Sequence, residues 1–285
     1  MAPRPPTIRE RRLASELRRL RETSTPMTLE DASGRLGWNK AKMSRIENGL
    51  RRVSAAEVQQ ILALYEVDGP RLEALVSFAR TARQRGWWDA YTGTLPTAYA
   101  TYLGLEAEAE WLSGYSMGLV HGLLQTEAYA QQVIKSVLMR LSPQTEVERR
   151  VAARMTRQKA WLERQEPLRL WSILDETALR RAIGGPEIMR AQYRRIIEMV
   201  ELPNVMFQVL PLDAGSHPGV VTNFTIMGFP ERFTPDVVYL ENMTSALYIE
   251  DEREVHTYFL AFEQLRATAM SPEDSLRLLE RLVRQ

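Results

Sequence analysis

Lys40, Ala41, Ser44 and Arg45 stand in the stretch Thr28 to Gly49, TLEDASGRLGWNKAKMSRIENG, at a spacing that suits one kind of chemistry. On an α-helix, residues four apart share a row, so Lys40 aligns with Ser44 and Ala41 with Arg45. The face they make is cationic, hydrogen-bonding and free of large apolar groups, and Asn39 stands at its leading end. Lys40 and Arg45 have the reach and charge to meet guanine O6 and N7 or a phosphate, and Ser44 can contact a base or a phosphate. Lys42, toward the flank, suits a phosphate, and Arg51 and Arg52 suit the sugar-phosphate backbone. Thr28, with the N–H groups that follow it, suits another phosphate.

Other chemistries find less support. There are no cysteines, which excludes disulfides, cysteine zinc sites and thiol nucleophiles. His121, His217 and His256 lie far apart, without metal-ligand spacing. Glu241, Glu250 and Asp251 follow apolar runs and invite comparison with NAD-using transferases, but they read better as surface acids. There is no phosphate-cradling glycine motif and no Gly-x-Ser-x-Gly. No catalytic residue, metal site or cofactor is therefore assigned.

Two short helices must position the cationic row. The first runs from about Leu29 to Arg35, with Thr28 as cap and Glu30 and Asp31 in its first turn, where acids suit the dipole. Gly37 can take the left-handed conformation that ends a helix. Asn39 caps the second helix, about Lys40 to Asn48, whose Met43 and Ile46 point inward with Leu36. Small Ala32, Ser33 and Gly34 let the two helices cross closely. Such a pair is the helix-turn-helix unit, whose second helix enters the major groove. The stretch resembles the Cro/repressor (XRE) class of helix-turn-helix, on Ser33, Leu36-Gly37 and the run Ser44 to Gly49. Ala32 departs, standing where that family usually has Leu. The resemblance also implies an ion pair between Arg21 and Glu47 that holds the first helix of the domain to the recognition helix.

Charge agrees with this placement. Residues 1–85 hold 17 Lys+Arg against 10 Asp+Glu, a balance of +7, while residues 86–285 hold 20 against 26, a balance of −6. A basic head on an acidic body is the distribution expected of a DNA-binding module joined to a non-binding one. The length, 285 residues, allows two domains, expected at 1–85 and 86–285. Residues 1–6 carry three prolines and read as frayed. The opening MAPRPPTIRERR has no apolar core after it and does not read as a secretory signal, and no apolar run is long enough to span a membrane, so a cytoplasmic location is expected. In the head, helices are also expected over Thr7 to Thr23, Ser54 to Tyr65 (opened by the capping box Ser54–Glu57) and Pro70 to Gln84, making five in all.

In the body, Thr126 caps a helix, Ser142-Pro143 starts a long one through Arg164, and Thr177 to Ile183 and Glu187 to Glu201 read as two more. The stretch from Leu103 to Trp111 is open between strand and helix. Leu168 to Leu174, Val205 to Leu210, Phe224 to Phe229, Val237 to Leu240 and Ala246 to Ile249 read as strands, and Asp251 to Ala269 and Pro272 to Arg284 as helices. The expected fold is thus mainly α: a five-helix repressor-type head, then an α+β body with a small antiparallel sheet. Trp87, Trp88, Trp111, Trp161 and Trp171 read as core ahead of a pocket lining. The body resembles the C-terminal domain of unknown function that follows a Cro/repressor head in many actinobacterial regulators. The matching residues are Gly122 to Thr126 with Tyr129-Ala130, Arg154 with Arg157-Gln158, Asp175-Glu176 with Leu179 to Arg181, Asn204-Val205 with Gln208 to Pro211, and Val238 to Glu241. His121 departs, where the family usually has Pro. The resemblance implies a transcription factor, often paired with a small partner protein encoded nearby. Double-stranded DNA is the expected partner, with a homodimer and an unidentified small-molecule effector as further expectations. The competing reading attaches a ligand-sensing or nucleotide-using enzymatic body to the same head.

Overall fold

The computed structural model describes residues 8–24, 27–81, 87–91, 95–139, 141–229 and 235–285. The chain divides into two compact units, Met1–Gly86 and Trp87–Gln285. Thr7, Pro26, residues 1–6 and residues 82–84 of the expected fifth helix lie outside the described residues.

The head contains α1 (Ile8–Thr23), α2 (Leu29–Arg35), α3 (Lys40–Glu47), α4 (Ala55–Leu64) and α5 (Gly69–Thr81). Apolar side chains three and four apart place one stripe of each helix inside. Leu13, Leu17, Leu20, Met43, Ile46, Val58, Ile61, Leu62 and Tyr65 make a continuous core. Ala32 is fully buried in the same cluster, and half-buried Leu36 and Trp38 pack against it. Gly37 takes φ +65 in the tight turn between α2 and α3, a conformation that costs a residue with a Cβ.

The body opens with a 3-10 turn, Trp87–Tyr91, and α6 (Thr97–Glu106). The open stretch thus resolves as the end of α6, a turn, and then a strand. The strands are β1 (Trp111–Ser116), β2 (Arg169–Asp175), β3 (Val205–Leu210), β4 (Phe224–Gly228), β5 (Val237–Glu241) and β6 (Ala246–Ile249). They form one six-stranded sheet in the order β3-β2-β1-β4-β5-β6. The expectation of a small antiparallel sheet is corrected. β1, β2 and β3 are parallel, and only β4, β5 and β6 run antiparallel to their neighbours. The error traces to β1, with sequence WLSGYS. It has two serines, a glycine and no β-branched aliphatic residue, so it carries little strand signal. Yet it joins the two halves, pairing Leu112 with Leu170 on one side and with Met227 on the other.

Parallel neighbours need long crossovers, and helices supply them. Between β1 and β2 run α7 (Glu127–Val137) and α8 (Gln144–Leu162), and between β2 and β3 run α9 (Glu176–Arg180) and α10 (Pro186–Val200). Pro143 is the N-cap of α8, one residue ahead of the first helical position. After β6 come α11 (Glu252–Thr268) and α12 (Pro272–Arg284). α11 lays Val255, Phe262 and Leu265 over Tyr115, Ile173, Phe224 and Ile226 on one face of the sheet. Among the described residues, no helix is long and apolar enough to cross a membrane.

Candidate nucleic-acid interface

Each half of the helix-turn-helix is closed by its own caps. The Thr28 hydroxyl accepts from the Asp31 N–H at 3.1 Å, and an Asp31 carboxylate oxygen accepts from the Thr28 N–H at 3.1 Å. The Thr28 bonds hold the exposed Asp31 carboxyl below its usual range. Asn39 caps α3 by accepting from the Ala41 N–H at 2.7 Å, and at the far end Asn48 donates to the Ser44 carbonyl at 2.8 Å. Satisfied ends allow α3 to stand with only eight residues, well short of what an isolated helix needs.

The rotation of α3 follows from what it buries. Met43, Ile46 and Glu47 are buried, Ser44 is half-buried, and Asn39, Lys40, Ala41 and Arg45 are exposed. Arg21 reaches Glu47 with two parallel bonds of 2.8 Å, from Nε to Oε1 and from Nη2 to Oε2, and donates Nη1 to the Met27 carbonyl at 2.9 Å. The bidentate hydrogen bond to Glu47 raises the Arg21 pKa in spite of partial burial. This pair ties the last turn of α1 to the end of α3.

Several cations in and around the row are matched to acids. Lys40 pairs with Glu30 at 2.8 Å, with both side chains well exposed, so the pair exchanges freely with solvent ions. Arg45 donates Nε to the Ala41 carbonyl at 3.1 Å and keeps its remaining donors outward. Arg52 meets Glu10 at 2.8 Å. Arg51 and Lys42 converge on one carboxylate, that of Glu57, at 3.2 Å and 2.9 Å. The Lys42 ammonium also lies 3.5 Å from the centre of the Trp38 ring. Glu57, Trp38 and Glu30 had drawn no functional role from sequence. Glu57 was visible as a capping-box residue, but its ion pair with a lysine 15 positions earlier follows no local spacing.

Gln125, Arg154 and Gln158, which carry part of the body's resemblance, make a clamp together with Gln192, which the sequence did not single out. Gln125 donates to the Val120 carbonyl at 2.7 Å, Gln158 to the Gly122 and Gln125 carbonyls at 2.8 Å, and Gln192 to the Leu124 carbonyl at 2.7 Å. Arg154 donates to the Gln125 side chain at 2.7 Å. These buried amides pin the loop from Val120 to Thr126, and the Thr126 hydroxyl then caps α7. Arg157, on α8 among Arg149, Arg150, Arg154 and Lys159, is buried. It donates Nε to Glu106 at 2.6 Å, makes a second very short contact to the same carboxylate, and donates to the Tyr99 and Tyr102 hydroxyls. Burial opposes the Arg157 charge, but Glu106 outweighs it and keeps the guanidinium firmly protonated. Burial, with Arg157 and Arg154 beside it, pushes the half-buried His121 down to about 3.

Glu241, Glu250 and Asp251 are exposed, and Asp251 is spent capping α11. Trp161 is buried, while Trp87, Trp88, Trp111 and Trp171 are half-buried. Trp111 packs on Phe259 and Trp171 on Phe262, so both serve the sheet–α11 layer. Among the described residues, no group of three His, Asp or Glu is placed to hold a metal ion.

A five-helix unit with a capped α2–turn–α3 and an exposed Lys–Ala–Ser–Arg face belongs to the helix-turn-helix class of DNA-binding folds. Residues 12–75 match the model of a helix-turn-helix domain. Residues 99–281, well over half of the chain, match the model of a domain of unknown function, DUF5753, and the chain belongs to that family. No curated protein and no solved structure matches it.

Proposed function

We propose that this protein is a sequence-specific transcriptional regulator of the Cro/repressor (XRE) type, of the kind found in actinobacteria, acting on double-stranded DNA in the cytoplasm. α3 lies in the major groove. Lys40, Ser44 and Arg45 meet base edges or nearby phosphates, with Asn39 and Ala41 against the groove floor and wall. Thr28, Arg51 and Arg52 lie along the sugar-phosphate backbone. The observation that carries this reading is the division of α3 into a buried Met43–Ile46–Glu47 side, locked by Arg21, and an outer row left open. The acids opposite Lys40, Arg51 and Arg52 are exchanged for phosphates when DNA arrives, and each phosphate neutralised adds about 0.9 to the log–log salt slope.

One small module buries limited surface, so the body acts as a homodimerisation domain that places two heads on half-sites about 34–36 Å apart. It receives its signal from a small partner protein or a small effector, and it is not an enzyme. Selection of bound sequences from random duplex DNA tests this reading. A palindromic site, lost together with specific binding in the doubly substituted Lys40→Ala/Arg45→Ala protein, is the expected result. Unchanged operator affinity in a folded double variant would refute the assignment of α3 to the groove.

A further inference from the structure

Lys42 differs from the other cations of the head. Its side chain is 20% exposed, against 60% for Lys40. Its ammonium lies both 3.5 Å from the centre of the Trp38 ring and 2.9 Å from a Glu57 carboxylate oxygen. These three residues belong to three elements: the turn before α3, α3 itself, and the first turn of α4. Glu57 is held in turn by the Ser54 N–H at 2.9 Å and the Ser54 hydroxyl at 3.1 Å. Burial opposes the Glu57 charge, but the bonds from Lys42 and Ser54 more than offset it and keep the carboxyl below its usual range.

We propose that Lys42 is a positioning residue for DNA reading and not a phosphate contact: clasped between Trp38 and Glu57, it fixes the rotation of α3 about its own axis. This rests on the reading of α3 as the recognition helix. Lys42 and Glu47 are five residues apart, which places them about 140° apart around the helix, on opposite sides of buried Met43 and Ile46. Arg21 tethers one side through Glu47, and Glu57 tethers the other through Lys42. Apolar packing alone sets the depth of a short helix better than its rotation, because it is non-directional. Two lateral tethers supply the direction, and rotation decides which base edges Lys40, Ser44 and Arg45 meet. A cation held between a ring face and a carboxylate, away from bulk water, keeps both attractions at more than their exposed strength. Arg51 also meets Glu57, at 3.2 Å, but in the DNA complex it goes to the sugar-phosphate backbone, so moving Lys42 to a phosphate as well would leave Glu57, only 20% exposed, without a cation.

The test compares affinity for a duplex enriched from random DNA by the wild-type protein with affinity for a scrambled duplex of equal length and composition, over a range of salt. Lys42→Ala and Glu57→Gln should each lower the ratio of the two affinities by roughly tenfold. The double variant should be no worse than either single one, and Lys42→Ala should leave the salt slope unchanged. Gln at position 57 can keep the capping box, so Glu57→Gln decides the matter if Lys42→Ala folds poorly. A phosphate-contacting Lys42 gives the opposite pattern: equal weakening on both duplexes, a slope lower by about 0.9, and an unchanged ratio in Glu57→Gln. That pattern, or an unchanged ratio in both single variants, overturns the proposal. Arg45→Ala, run beside them, tests the groove reading separately, since full retention of the enriched duplex there would sink that reading whatever Lys42 does.

Discussion

Head and body each tie two helices together with an arginine and a glutamate, and the two pairs are held in different ways. Arg21 and Glu47 join α1 to α3, and the spare donor of Arg21 goes to a backbone carbonyl in the connector between α1 and α2. Arg157 and Glu106 join α8 to α6, and the remaining donors go to the hydroxyls of Tyr99 and Tyr102, both on α6. Tyr99 and Tyr102 stack with centroids 5.8 Å apart, and Tyr102 also packs on Tyr239 at 4.5 Å. The body pair is thus wrapped in aromatic rings on the sheet side, whereas the head pair is also buried, with the Glu47 side chain only 2% exposed, but leans on a backbone carbonyl in place of ring hydroxyls. The lesson concerns what each pair can lose. Charge removed from either site strands a buried carboxylate, and in the body it also strips two tyrosine hydroxyls of their partner.

The largest effect should follow from Arg157→Leu, which leaves Glu106 buried without its partner. A cost of about 3–5 kcal/mol is expected in denaturant unfolding of the body. Replacing Glu106 by Leu as well should recover much of it, because a buried ion pair is more damaging when halved than when removed. A single-variant cost under about 1 kcal/mol would mean that the pair is not desolvated as described.

Arg21→Ala should cost the head about 3 kcal/mol, the lower end of the same range, because Glu47 is left buried without its cation but no tyrosine hydroxyl loses a partner. Arg21→Lys should recover little, since a point charge cannot make the two parallel bonds. The readouts are the melting transition of the head and affinity for an enriched duplex. The loss of affinity should exceed what the change in folded fraction explains, because α3 loses one of its lateral tethers.

The same contrast governs what could be read from sequence. The head is local: its caps, its Gly37 turn and the inward Met43 and Ile46 lie within a few residues of one another, and all five helices are legible in the sequence. α12 was equally legible, from Ser271-Pro272 and a clean apolar stripe. The body fails where structure depends on distant partners. β1 has weak strand chemistry, and its identity comes from being flanked by β2 and β4. Arg157 lies on a charged helix whose neighbours Arg149 and Lys159 face water, and only α6, about fifty positions earlier, turns it into a core residue. The clamp on Val120 to Thr126 was visible as a motif but not as a mechanism, because glutamine spacing does not say which carbonyls it will meet.

Acid should separate the two units next. His121 is neutral in the folded body, with its pKa pushed down to about 3, while an unfolded histidine protonates near its ordinary value of about 6.5. A depressed folded value means that the unfolded chain binds the extra proton first. The body should therefore lose stability as pH falls from about 6.5 toward 3, by at most about 1.4 kcal/mol per pH unit and less for a half-buried ring. In the head, burial works against the charge of Glu16 and Glu57, but pairing with Arg19 and Arg71, and with Lys42, lowers both carboxyls. Their contribution is present above the ordinary carboxylate range and fades only below it. At pH 5 the body should be weakened by about 1 kcal/mol while the head is not. His121→Asn, which keeps an acceptor for the Leu123 N–H, should flatten the body's slope between pH 6.5 and 5; an unchanged slope would show that another group is responsible.

The smallest effect sharpens the contrast from the side of packing. Gly34 lies inside α2 with an ordinary negative φ, is exposed, and would meet nothing within 4 Å if given a Cβ. Glycine in a helix costs stability through the freedom of the unfolded chain, so Gly34→Ala should stabilise the head by about 0.5–1 kcal/mol. The body offers a control of opposite sign. At Gly228, which pairs with Trp111 where β4 runs beside β1, a Cβ would fall 1.9 Å from Cε2 of Trp111, and the indole that packs on Phe259 would have to leave its place. Thermal melts of the two variants should move in opposite directions. If Gly34→Ala instead melts earlier, α2 is shaped by a constraint beyond helix propensity. If it melts later but binds an enriched duplex more weakly, the bare surface at Gly34 is there for DNA to approach.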